Sequence, residues 1–326
     1  MASACAASLD RSLVPLIDLG PLRDGSAPLQ VAQALHQASR DIGFIYVTNH
    51  GIDLAFLEQA RTLALEFFRQ PLDDKLRVAI SPRHRGFLRI GAARMEDGAR
   101  PDLKESFIWG MEDVHGQAPR DHALRGDNRW PADMPALRSA AVRYLAEAEQ
   151  VARVLLQGFA LGLGLERQFF LRASSQPMSR AAFVYYPPQD AQSGADQFGV
   201  APHTDFGVLT VLCQDSVGGL QVQHADGTWF EAPPIPGALV INVGDLLARW
   251  TNGVYRSTPH RVVNTSGRER LSLVLAFDPD PQTLVDAREV FPTQTPREVP
   301  VTCGDYLQWR FGKAFDYRKP AAAEKA

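Results

Sequence analysis

Cysteine is scarce in this chain. Cys5, Cys213 and Cys303 are spread over 326 residues. The number is odd and the spacings are long, so no disulfide framework is encoded, and a reducing compartment, the cytoplasm, is expected. No apolar run approaches the ~20 residues that a membrane span needs. The N-terminus, M-A-S-A-C-A-A-S-L-D-R-S, has no basic start followed by a long apolar run, so no signal peptide is expected. An excess of one charge is missing too. Thirty-four Lys and Arg against 37 Asp and Glu leave a net charge of −3, which offers no footprint for nucleic acid or a membrane surface. Internal repeats, low-complexity linkers and phosphate-cradling glycine loops are absent. What remains is a globular composition, 45% hydrophobic and 22% charged, long enough to bury a sizeable core.

The chain changes character near residue 175. Before it lie mixed signals. Val14 to Asp18 and Gly43 to Val47 read as strands, and Ala27 to Asp41 carries helical spacing. Asp53 is a candidate N-cap for a helix through Phe68. Ala136 to Leu165 is the longest helical stretch, read as a scaffold packed on a sheet. Between these, Ser81 to Arg100 mixes Arg83, His84, Arg85, Arg89, Arg94 and Arg100 with Gly86, Gly91 and Gly98. It reads as an exposed loop, either simply solvated or a basic rim that attracts a carboxylate-bearing substrate. From Ala181 onward short β-rich runs are punctuated by Gly, Pro, Asn and Asp, the pattern of a sandwich or barrel. The expectation is a mainly β fold with flanking helices. Residues 1–175 form a mixed α/β region packed on a β core of residues 176–326, with an amphipathic tail from Gly304 to Arg318, in one compact unit.

The chemistry concentrates in A-P-H-T-D-F-G, Ala201 to Gly207. On an extended segment His203 and Asp205 share a face, roughly 6.6 Å apart at Cα, so an imidazole and a carboxylate can lean onto one ion. His260, in R-S-T-P-H-R-V-V, is the best candidate for a third ligand. Two His and one carboxylate with open positions form the ligand set of non-haem Fe(II) oxygenases. Ten residues later Arg270 and Ser272 share a strand face, and a planar guanidinium with a hydroxyl makes a carboxylate clamp. Phe206 and Phe107 are candidate pocket walls, and Glu105 is a further candidate. His50 reads as structural; His84, His115, His122 and His224 lie in polar, loop-like surroundings and read as solvated.

These residues carry a resemblance. The chain resembles the isopenicillin N synthase-like, iron/ascorbate-dependent oxidoreductases of the 2-oxoglutarate-Fe(II) dioxygenase superfamily, over nearly its whole length. The motifs are V-P-L-I-D, D-I-G-F-I-Y-V-T-N-H-G-I, Y-Y-P-P, H-T-D-F-G-V-L-T-V-L, G-G-L-Q-V, P-G-A-L-V-I-N-V-G-D, W-T-N-G-V-Y-R-S-T-P-H-R-V and R-x-S, in that order. The resemblance implies a double-stranded β-helix (jelly-roll, cupin-like) core. It implies Fe(II) held by His203, Asp205 and His260, and 2-oxoglutarate gripped by Arg270 and Ser272 with help from Tyr185. O2 would be a co-substrate, ascorbate the reductant and a small molecule the substrate.

One departure keeps alternatives in view. Relatives that use 2-oxoglutarate often carry an Arg and an Asn just before the tyrosine pair, where Ala182 and Val184 stand here. An isopenicillin N synthase-type oxidase that needs no 2-oxo acid, or an ethylene-forming enzyme, matches that change. A metal-binding jelly roll that senses a ligand without turnover is the reading outside enzymes.

Overall fold

The short β-rich runs pair into two facing sheets. The computed structural model describes residues 13–93, 100–112, 120–189, 197–315 and 318; Cys5, Arg94, Gly98, His115 and Tyr317 lie outside the described residues. The strands are β1 (Leu16–Asp18), β2 (Phe44–Thr48), β3 (Gly86–Leu88), β4 (Glu105–Gly110), β5 (Arg180–Tyr186), β6 (Val200–His203), β7 (Leu209–Cys213), β8 (Leu220–Gln223), β9 (Trp229–Glu231), β10 (Leu239–Val243), β11 (His260–Val262) and β12 (Arg270–Phe277). The large sheet runs β1-β2-β10-β7-β12-β5-β4-β3 and the small one β6-β11-β8-β9. All pairs are antiparallel except β1 with β2. Two facing antiparallel sheets with flanking helices are the expected jelly-roll core, and strands from the first 175 residues widen its larger sheet.

The helices are α1 (Gly20–Arg23), α2 (Pro28–Asp41), α3 (Leu54–Phe68), α4 (Leu72–Leu76), α5 (Pro135–Gly162), α6 (Asp245–Trp250) and α7 (Cys303–Ala314). Asp53 caps α3 as expected, its carboxylate accepting from the Ala55 amide at 3.0 Å. Helix α5 starts at a proline, where a missing N–H costs nothing. It buries Leu137, Ala141, Tyr144, Ala148, Leu155 and Phe159. No helix among the described residues is long and apolar enough to cross a membrane.

Strand parity decides what reaches the site. On β12, Leu271, Leu273, Leu275 and Phe277 enter the core shared with the helices. The alternate residues Arg270, Ser272, Val274 and Ala276 line a cavity of about 220 Å³ between the sheets. On β5, Ala181 and Phe183 belong to that core, while Arg180, Val184 and Tyr186 line the cavity. A second apolar cluster, including Phe44, Tyr46, Leu220, Val240 and Val262, fills the space between the sheets beside the cavity. The large sheet therefore feeds side chains to both of its faces, the helix-side core and the space between the sheets.

The basic loop has more structure than expected. It contains β3, with Gly86 at φ +114, where a Cβ would sit 2.4 Å from the Val78 carbonyl oxygen. Arg85 is buried, and Arg83 Nη1 donates to the Arg125 carbonyl at 2.6 Å. His84 is buried against Phe311 and Phe315, with ring centroids 4.6 and 4.8 Å away. So Arg83, although exposed, ties this loop to residues 122–125, Arg85 turns back onto the Arg83 and His84 carbonyls, and His84 is not solvated. Arg89 is exposed.

Candidate metal centre

His203 ends β6 and His260 begins β11, and the two are register partners across the small sheet. Asp205 follows two residues after His203, in the loop before β7. Strand pairing thus closes the gap in sequence that the motif alone leaves open. Donor atoms of the three side chains all lie within 4.8 Å of one another. Asp205 Oδ1 is 3.7 Å from His203 Nε2 and 3.8 Å from His260 Nε2.

The neighbours orient each donor. His203 Nδ1 lies 2.8 Å from the Ala201 carbonyl and His260 Nδ1 lies 3.2 Å from the Thr258 carbonyl. A carbonyl only accepts, so each Nδ1 carries the proton and each Nε2 presents its lone pair inward. Phe44 meets the His260 ring edge-on at 5.2 Å and holds its plane. Asp205 Oδ2 accepts from Thr210 Oγ1 at 2.5 Å and from Asn242 Nδ2 at 2.6 Å, which leaves Oδ1 facing the histidines. Such supporting partners fix ligand orientation in metal sites. Burial, then the charge of His260, pushes the His203 pKa down to about 3. Burial alone would raise Asp205, but His260, His203 and the two hydrogen bonds outweigh it and lower its pKa. A neutral imidazole beside an ionised carboxylate is the protonation state a metal needs.

Backbone contacts hold the Asp205 loop. At the start of α6, the amides of Asp245 and Leu246 donate to the carbonyls of Asp205 (2.7 Å) and Gly207 (3.0 Å). A Cβ at Gly244 would sit 2.1 Å from the Gly207 carbonyl oxygen, so the G-D of P-G-A-L-V-I-N-V-G-D is the bare backbone that clasps the metal loop.

Deeper in the same cavity stands Arg270, 1% exposed. Its Nε donates to the Gly218 carbonyl at 2.6 Å and Nη2 reaches Gln214 Oε1 at 3.5 Å. Nη1 and the Ser272 hydroxyl are buried without a hydrogen-bond partner among the described residues. Unsatisfied buried donors cost ~1–3 kcal/mol each, and two side by side on one face mark the seat of an acceptor-rich ligand. The donor set and these orphaned groups fit a divalent metal and a dicarboxylate together.

The model of the 2OG-Fe(II) oxygenase superfamily matches residues 177–279. The N-terminal model described as non-haem dioxygenase in morphine synthesis matches residues 14–133. A homoarginine-6-hydroxylase of Glycine max is 30% identical over 305 residues, 87% of this chain and 91% of that protein. The chain belongs to the 2OG-Fe(II) oxygenase superfamily. Validamycin A dioxygenase of Streptomyces hygroscopicus subsp. limoneus is 34% identical over 283 residues, covering 82% of this chain and 78% of that one. The crystal structure of a full-length Neurospora crassa protein in complex with alpha-KG superposes at a TM-score of 0.82 with 28% identity, over 92% of this chain and 96% of that chain. As a member of this superfamily the protein is an oxidoreductase that uses Fe(II), 2-oxoglutarate and O2. The comparisons give no support to the oxidase, ethylene-forming or sensor alternatives.

Measured against this 2-oxoglutarate oxygenase site, three expected positions need correction. Tyr185 turns away from the cavity, stacks on Phe68 at 5.1 Å and donates to Glu269 Oε2 at 3.1 Å. Its neighbour Tyr186 lines the cavity instead, with Arg270 Cζ 4.6 Å from its ring. Phe107 lies in the helix-side core among Phe67, Trp109 and Trp130, because β4 residues of its parity face the helices. Glu105 shares that parity and pairs with Lys75 at 2.6 Å. Phe206 does line the cavity, edge-on to Phe311 at 5.8 Å. Thr210, Asn242, Lys104 and Arg180 were missed. A polar residue inside the apolar runs L-T-V-L and V-I-N-V was the available signal for the first two.

Proposed function

We propose that His203, Asp205 and His260 hold Fe(II), that Arg270 and Ser272 bind the distal carboxylate of 2-oxoglutarate, and that the enzyme oxidises a small organic molecule. The observation that carries the reading is the pair of unpartnered buried donors, Arg270 Nη1 and Ser272 Oγ, in the cavity that also holds the three ligands. Iron with 2-oxoglutarate supplies O2-dependent oxidative decarboxylation to succinate and CO2, coupled to oxidation of a substrate C–H bond. The chain's own residues do the positioning. Thr210 and Asn242 fix the Asp205 carboxylate, the Ala201 and Thr258 carbonyls fix the imidazole tautomers, and Gly218 and Gln214 aim the guanidinium. Tyr186, Leu220 and Val262 surround the co-substrate end with a wall that limits water.

The product is a hydroxylated, desaturated or cyclised form of the substrate. Neighbouring structures hold thymine with alpha-KG in one case and JA with 2OG in another, and a ligand of that size class suits this chain. Anaerobic Fe(II) protein titrated with 2-oxoglutarate should develop a visible charge-transfer band, and aerobic protein with ascorbate should release succinate. Bound iron with neither band nor succinate would overturn the assignment.

A further inference from the structure

We propose that Arg180 and Lys104 form a second anion site, beyond the metal from Arg270, and that the substrate is a small organic acid whose carboxylate docks there. This rests on the 2-oxoglutarate reading above and names the substrate class of that same site.

Placement comes first. Strands β5 and β12 are antiparallel, with Arg270 opposite Tyr186 and Arg180 opposite Ala276. The two arginines therefore stand at opposite ends of one ribbon face, six residues apart along it, or about 20 Å. The metal loop lies toward the Arg180 end. Ala276 is also the register partner of Thr210, whose hydroxyl holds Asp205. Arg180 thus starts two strand spacings, roughly 9.6 Å, from Thr210. Between the arginines, Ala182 and Val184 leave β5 without a charge, so hydrocarbon separates two guanidiniums.

The Arg180 side chain is held from behind. Asp278, fully buried, sits 2.8 Å from Nη1, and its other oxygen accepts from the Val208 amide at 3.1 Å. Nη1 also reaches the Met178 carbonyl at 3.5 Å. Among the described residues, Nε and Nη2 donate no hydrogen bond, and the side chain is part of the cavity wall. A guanidinium cradled on one edge with the rest of its fork toward a cavity is a pre-organised carboxylate receptor. Lys104 reaches the same cavity, its ammonium 3.2 Å from Asp102 Oδ2, while Asp102 Oδ1 accepts from Ala201, on the strand that carries His203.

The remaining walls suit a hydrocarbon body. Phe311 lies with its ring centroid 4.8 Å from Arg180 Cζ, and Val274, Ala276 and Phe206 complete that end. Outside, a groove of about 670 Å³ reaches His203 and Phe206 past Trp309, Arg310 and Lys313. The Arg310 guanidinium covers Phe206 at 4.1 Å and the Lys313 ammonium covers Trp309 at 4.2 Å. A carboxylate approaching the metal passes cations on the way.

The test is calorimetric titration of full-length protein loaded with Mn(II) and saturating 2-oxoglutarate, which keeps Arg270 occupied. The probes are phenylacetate, cinnamate and octanoate, each against its primary amide. At least one acid should bind more than tenfold tighter than its amide. Arg180→Gln alone strands Asp278 and Lys104→Met alone strands the buried Asp102, so the variants are Arg180→Gln with Asp278→Asn and Lys104→Met with Asp102→Asn. Both should shrink the acid preference to threefold or less. Equal binding of acid and amide across the panel, or a preference that survives both variants, overturns the proposal. The 2-oxoglutarate affinity of the Mn(II) protein is measured in parallel. Its absence in the unaltered protein overturns the clamp assignment, whereas its presence without acid preference overturns only the substrate class.

Discussion

Replacing Arg270 by lysine keeps the positive charge and removes the fork. In the structure Nε is committed to the Gly218 carbonyl at 2.6 Å, and Nη1 is the donor left for a ligand. A lysine has one nitrogen on a flexible stem and cannot hold Gly218 and present a second parallel donor at once. The loss is one hydrogen bond to a charged group in a buried site, about 1.5–3 kcal/mol. That converts to a 2-oxoglutarate Kd about 13- to 160-fold weaker. Ser272→Ala removes a neutral hydroxyl donor, worth about 0.5–1.5 kcal/mol, or about two- to 13-fold. Calorimetric titration of 2-oxoglutarate into the Mn(II) protein reads both values without turnover. The order matters as much as the size, because the charged fork should dominate. An Arg270→Lys Kd within twofold of the unaltered protein, or a Ser272→Ala effect larger than that of Arg270→Lys, would refute the clamp.

Thr210→Val and Asn242→Leu should each weaken metal affinity by about 10- to 100-fold, because they free the Asp205 carboxylate to rotate; chelator competition measures it, and an unchanged affinity refutes the role. Lys75→Met should destabilise the fold by about 3–5 kcal/mol, since it strands Glu105 in the core; denaturant unfolding reads the loss, which Lys75→Met with Glu105→Gln should partly recover. Burial, reinforced by Arg180 and Arg85, holds the His84 pKa well below its ordinary 6.5. The unfolded chain therefore takes up a proton at His84 that the folded one refuses. This contribution is complete above pH 6.5 and is lost as the pH falls below it, by about 1.4 kcal/mol per pH unit. His84→Asn, which tolerates the φ of +62, should flatten stability against pH between 6.5 and 5; an identical slope in both proteins counts against it.

Much of this was legible because the jelly roll repeats one local rule, short strands ended by turn residues. The runs from Trp229 to Glu231 and Leu239 to Val243 show it without help from tertiary context. Failures came where an element is too short to express a period. Strand β3 spans three residues inside an Arg- and Gly-rich segment, and α6 spans six after a glycine. Charge misled in the same segment. Arg83 and His84 read as loop surface, yet Arg83 bonds to carbonyls at residues 122 and 125 and His84 packs on α7, distances along the chain that composition does not encode.

The site failed in one instructive place. Tyr185 and Tyr186 are adjacent, so a strand sends one to each face. In R-A-A-F-V-Y-Y-P-P both faces are mostly apolar because both are buried, and alternation, the signal that would choose between them, is erased. The choice needs the pairing of β5 with β12. Arg270 and Ser272 face the cavity, Arg270 stands opposite Tyr186 and Ser272 opposite Val184, and directly opposite residues share a face. Tyr186 therefore follows Arg270 into the cavity, and by the same parity so does Arg180, six residues before it. A register that is shifted by one residue would exchange Tyr186 for Tyr185 and carry Arg180 to the helix side of the sheet. The corrected tyrosine and the proposed acid site thus stand or fall on a single alignment of two strands. A Tyr186→Phe and Tyr185→Phe comparison tests that alignment through the Tyr185 hydroxyl, which reaches Glu269 at 3.1 Å: only the Tyr185 change should alter the Glu269 pKa, which the Arg69 and Tyr185 hydrogen bonds hold below the usual range.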